Sequence, residues 1–112
     1  MSRYSRLYCK SGFSMSVQAS KTNYSSPRDN TGPYTAVEIG FPSAAEPLII
    51  GYAEDKDNPT ETVYGWVPAG LVKALIIKHK GIEEGEVPPL DINLEQSTIL
   101  AESLFEFNNE SC

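Results

Sequence analysis

The chain has 112 residues, 40% of them hydrophobic, and a formal net charge of −6. That length suits a single domain with a modest core, and the composition is that of a folded chain rather than a disordered one. No apolar run approaches the ~18–20 residues that span a bilayer, and the acidic balance argues against direct nucleic-acid binding, which depends on basic surface.

Arg3, Arg6 and Lys10 precede no apolar segment of the kind that follows in a secretory leader, so a cytoplasmic protein is expected. Cys9 and Cys112 lie near opposite ends and are expected as free thiols rather than a disulfide framework. The charge is polarised. Residues 1–28 hold basic residues and no acid, whereas residues 81–112 hold acids, among them Glu83, Glu84, Glu86 and Asp91, and no base. Such polarity points to pairing of the two ends, to self-association, or to a basic partner.

In chain order, a second methionine at 15 and a short, poorly patterned apolar stretch at 4–9 make residues 1–12 read as a flexible N-terminal extension. Residues 13–20 alternate apolar and polar without a break, the pattern of a strand with Phe13, Met15, Val17 and Ala19 facing a core. Residues 21–33 are rich in turn-formers and make a long loop. A strand is expected over 34–41, with Thr35, Val37, Ile39 and Phe41 on one face, pairing antiparallel with 13–20. In 43–55, Ser43 and Glu46 have the spacing of a capping box, so a helix is favoured there over a strand.

The clearest organisation is at 62–81. Residues 62–67 are β-branched and aromatic, as a strand requires, and alternation places Tyr64 and Trp66 on the same face. Pro68 stops the strand and suits the first turn of a helix. Leu71, Val72, Leu75 and Ile76 then form an apolar stripe, Lys78, His79 and Lys80 complement the helix dipole, and Gly81 ends the helix predicted over 68–80. Residues 82–89 resemble a linker. A last helix over 93–107, capped by Asn93, is followed by a frayed tail at 108–112. The predicted class is α+β: one domain over 13–107 with a mainly antiparallel sheet of three to four strands and two or three helices on one face.

Motifs for chemistry are sparse. One histidine and two distant cysteines give no zinc spacing, and the acidic turn at 54–58 lacks the glycine and terminal glutamate of an EF-hand, so no metal or cofactor is expected. No phosphate-binding loop is present. His79 is the one candidate base for a serine or cysteine nucleophile, and its place in a helical last turn accounts for it structurally. The leading expectation is a non-enzymatic interaction module. It would bind a protein with a basic surface through Glu83, Glu84, Glu86 and Asp91, as small acidic inhibitors encoded by phages and mobile elements do by standing in for nucleic acid. Self-association is a further expectation. The alternative is a small-ligand or nucleotide-binding module using Lys21, Tyr24, Ser25, Ser26 and Arg28 of the long loop with Tyr64 or Trp66 as a stacking face. A small hydrolase or transferase with a carboxylate site ranks third.

Overall fold

The computed structural model describes residues 4–92. Five strands, β1 (Leu7–Cys9), β2 (Ser14–Gln18), β3 (Ala36–Gly40), β4 (Val63–Pro68) and β5 (Ile82–Glu84), form one antiparallel sheet in the order β4-β3-β2-β1-β5. One α-helix, α1 (Ala69–Lys78), packs on it. The α+β class stands, but with five strands and, among the described residues, one α-helix. The helix expected over 93–107 and the tail at 108–112 lie outside the described residues.

The alternation in 13–20 places Phe13, Met15, Val17 and Ala19 in the core, as the pattern requires. The opposite face of β2 is not simply wet. Ser14 and Gln18 are also buried. Ser14 Oγ accepts from Arg6 Nε at 3.1 Å, and Gln18 exchanges hydrogen bonds with the Tyr4 backbone at 3.0 and 2.7 Å. Those bonds draw in the N-terminal segment, where Leu7–Cys9 form β1, with Leu7 and Cys9 in the core, and burial raises the Cys9 thiol's pKa. β5 replaces the linker expected after 81. It pairs with β1 and ends at Gly85, whose φ of 106° no L-residue adopts readily and where a side chain would meet the Arg6 carbonyl.

β3 brings Val37 and Ile39 inward, but Thr35 and Phe41 are exposed and Tyr34 is buried, so the expected alternation holds only through the strand's centre. Phe41 turns out at a φ of 49°, where the strand ends. The helix expected in 43–55 is absent; a single 3-10 turn, Ile50–Tyr52, is all that forms. Its capping residues are committed elsewhere. Ser43 Oγ accepts from the Ser14 N–H at 2.9 Å, and the Glu46 carboxylate is drawn to the end of α1.

The strand-to-helix unit forms as its residues dictate. Leu71, Val72, Ala74 and Leu75 pack against Leu7, Met15, Val17, Ile39, Tyr64 and Val67 in one core. The helix closes with Lys80 N–H to Ile77 O and Gly81 N–H to Ile76 O, a Schellman end in which Lys80, at φ 73°, takes the left-handed position that Gly81 was expected to hold. Among the described residues, no helix is long and apolar enough to cross a membrane.

Candidate functional site

The surface of interest starts from a mismatch between β3 and β4. Val37 pairs with Val67 and Ile39 with Tyr64, so two steps along β3 face three along β4. The extra residue is a β-bulge at Gly65–Trp66, which lets Tyr64 and Val67 both point into the core. Trp66 is thrown outward at a φ of 51° and is 50% exposed. A left-handed tryptophan is an outlier, held only because neighbouring contacts over-determine it.

Those contacts come from the long loop. Tyr24 stacks on Trp66 with centroids 4.8 Å apart and planes 29° apart, and remains 37% exposed. The Trp66 N–H donates to Tyr24 O at 3.0 Å, and the Tyr24 N–H donates to Glu38 Oε2 on β3 at 3.0 Å. The loop is itself tied down. Ser25 is fully buried, with its hydroxyl donating to Ser20 O at 3.0 Å, and Ser26 exchanges backbone bonds with Ala36 at 3.0 and 3.3 Å. The Asp29 carboxylate accepts from the Gly32 and Thr31 N–H groups at 2.9 and 3.0 Å, which hold its pKa below the usual value, and Tyr34 Oη donates to Asp29 O.

Of the loop and strand residues expected to make a ligand site, the structure thus brings Tyr24 and Trp66 together. Lys21, Ser26 and Arg28 are exposed on the loop. Ser25 and Tyr64 are interior: Tyr64 spends its hydroxyl on Pro59 O at 2.6 Å, and burial raises its phenol pKa. The acidic residues lie elsewhere. Glu83 and Glu84 sit on β5, at the other edge of the sheet from Trp66, with Glu86 just beyond; all three and Asp91 are exposed. The Glu86 carboxylate accepts from the Ser5 N–H at 3.0 Å, which lowers its pKa.

A second cluster was not legible in the sequence. Glu46 is 3% exposed and accepts from Lys78 Nζ at 2.7 Å and from His79 Nε2 at 2.9 Å. Burial alone would raise its pKa, but hydrogen bonds from Lys78, His79 and the Leu48 N–H, with the Lys78 charge, outweigh burial and hold it below the usual carboxylate range. The other imidazole nitrogen, Nδ1, lies 3.0 Å from Ser11 Oγ, and Phe13 stacks on the ring at 4.1 Å and 13°. The expectation that His79 merely completes a helical last turn misses these partners. They come from residues 11, 13 and 46, and no local spacing connects them to 79. No group of three or more His, Cys, Asp or Glu among the described residues could hold a metal ion.

No protein-family model matches the chain, and comparisons with curated proteins and with solved structures gave no significant match.

Two outcomes follow from this geometry. Trp66→Ala and Trp66→Gly remove the same ring, but an L-residue costs ~1–2 kcal/mol in the left-handed region, while glycine's looser unfolded chain returns only ~0.4–1 kcal/mol. The glycine variant should therefore be the more stable in urea unfolding by up to about 1.6 kcal/mol; an alanine variant of greater stability would mean the left-handed bulge is not kept. For Glu46, the folded pKa lies below the ordinary value of 4.5, so its contribution is complete above that pH and is lost as the pH falls below it through the folded value. Unfolding free energy measured across that range should fall more steeply for the wild type than for Glu46→Gln.

Proposed function

We propose that the protein is an interaction module that docks on another protein, with the Tyr24–Trp66 pair as its apolar anchor. The observation that carries this reading is a half-exposed aromatic stack held on a left-handed residue. The bulge that lets Tyr64 and Val67 both enter the core also carries Trp66 to the outside, on a left-handed backbone that is itself strained. Tryptophan and tyrosine dominate the energetics of protein interfaces because they bring large, stiff, amphipathic area. A small ligand is ordinarily enclosed over 70–90% of its surface by convergent groups. Here Ser25 and Asp29 are directed into holding the loop, and the rings offer an open face.

The partner's chemistry follows from the charge. With a net charge of −6 and Glu83, Glu84 and Glu86 exposed along one sheet edge, a partner with a basic surface is favoured. The acidic edge and Trp66 are separated by four inter-strand steps of about 4.8 Å, a distance that one standard interface of about 800 Å² per partner can cover. The aromatic pair would supply affinity, and the acids would supply orientation and association rate.

The test uses the full chain as bait for affinity capture, followed by titration of the captured protein. Trp66→Ala and Tyr24→Ala should each weaken binding about 30-fold or more, the size of an interface hot spot. Charge reversal at Glu83 and Glu84 should slow association and flatten its salt dependence. Folded variants at Trp66 and Tyr24 that bind with unchanged affinity would refute the reading. A nucleotide or sugar phosphate that raised the melting temperature and shielded Trp66 would assign the pair to a small ligand instead.

A further inference from the structure

The tip of the β1–β2 hairpin is fastened to the end of α1. Lys10 N–H donates to Gly81 O at 2.9 Å and Ser11 N–H to His79 O at 3.1 Å, which sets the Ser11 hydroxyl against the imidazole. Three contacts then fix that ring. Phe13 lies flat on it, Ser11 Oγ meets Nδ1, and Glu46 Oε2 meets Nε2, while Lys78 on the other carboxylate oxygen holds Glu46 in place. Ionised Glu46 only accepts, so Nε2 carries a proton. In the neutral ring, Nδ1 is therefore a lone pair aimed at the Ser11 hydroxyl.

We infer that Ser11 is a nucleophile toward activated acyl esters, with His79 as its general base and Glu46 as the residue that positions and polarises His79. The order of groups is hydroxyl, imidazole and buried carboxylate, each within hydrogen-bond reach of the next. Ser11 is exposed, so an acyl donor reaches it from solvent. In the reaction, Ser11 Oγ bonds to the ester carbonyl carbon as its proton passes to His79 Nδ1. The tetrahedral adduct collapses by breaking the bond to the leaving alcohol oxygen, and the proton on His79 Nδ1 passes to that oxygen or to solvent, leaving acyl-Ser11 and a neutral imidazole. Water then attacks the acyl carbon as His79 Nδ1 takes its proton, and the bond to Ser11 Oγ breaks as that proton returns to it, releasing the acid and restoring the hydroxyl.

The surrounding backbone sets the substrate class. The N–H groups of Ser11 and Gly12 donate to His79 O and Cys9 O, and the Phe13 N–H donates to Ser11 Oγ itself at 3.3 Å. That last bond favours the developing alkoxide, but none of the three is directed at the carbonyl oxygen of a bound ester. An oxyanion donor contributes about 10²–10³ in rate, and amides need one. Esters with good leaving groups do not, so acylation of Ser11 is expected to outpace its hydrolysis. This activity is independent of the docking surface, which lies at the start of α1 rather than at its end.

The probe is p-nitrophenyl acetate with the full-length protein, followed by phenolate release and by peptide mass mapping. The expected result is a stoichiometric burst with acetyl on Ser11. Ser11→Ala, a change at an exposed position, should abolish the burst, and His79→Gln should slow it about 100-fold or more, the usual contribution of a general base. Glu46 is tested by ¹⁵N shifts of the imidazole: the neutral wild-type ring should be the Nε2–H tautomer, and Glu46→Gln should give a mixture. Acetylation confined to lysines and tyrosines, an equal rate in His79→Gln, or an Nδ1–H tautomer in the wild type would overturn the inference.

Discussion

The mismatch of register between β3 and β4 is the constraint on which the rest of the surface depends. Three residues of β4 against two of β3 allow Tyr64 and Val67 to enter the core together, and burial of two such side chains contributes several kcal/mol, at about 1.5–3 kcal/mol each. The left-handed backbone at Trp66 costs about 1–2 kcal/mol, so the core term exceeds the strain. The bulge also turns the Trp66 N–H away from the sheet, where Tyr24 O receives it. In this way a packing requirement in the interior determines where an aromatic ring stands outside, and it gives the long loop a fixed place to lie.

The loop and the two ends of α1 divide the molecule's features. At the start of the helix, Pro68 ends β4 and Ala69 N–H reaches Thr35 O, which locks the strand carrying Trp66 to β3. At its end, the Schellman turn puts His79 and Gly81 within reach of the β1–β2 hairpin. The Glu46 carboxylate joins that end to the segment before the 3-10 turn. A buried carboxylate bound by one cation and one imidazole is costly to expose unpaired, and its ties explain why the 43–49 segment is held without a helix. The sheet's outer edges differ in kind. Trp66 N–H on β4 is taken by Tyr24 O and Val63 O by the Glu54 N–H, whereas β5 is a three-residue strand bearing Glu83 and Glu84, a charged edge that disfavours pairing with its own copy.

Much of the fold was legible because it follows period and punctuation. The alternation of 13–20, the centre of 34–41 and the strand–proline–stripe–glycine run at 62–81 depend on local chemistry, and they form where expected. What was not legible depends on partners far along the chain. Tyr64 and Trp66 share a face by alternation alone, and a bulge set by β3 separates them. Ser43 and Glu46 spell a helix start, but Ser14, Lys78 and His79 claim their side chains. β1 and β5 are three residues each, too short for a period to show; β1 pairs with β2 and β5, and β5 with β1. Of the candidate site, Tyr24 was named as a loop residue and Trp66 as a stacking face, without any sign that the two stack on each other, and the grouping of Ser11, Phe13 and Glu46 around His79 had no sequence signal.

Trp66 is the sole tryptophan, so its fluorescence reports on this surface without interference. The most direct measurement is acrylamide quenching of that emission in the free protein and in the purified complex with the captured partner. Efficient quenching of a red-shifted emission in the free protein, lost with a blue shift on complex formation, is the result expected of a docking tryptophan. Poor quenching in the free protein, or identical quenching in the complex, would contradict the proposal that Trp66 docks on a partner.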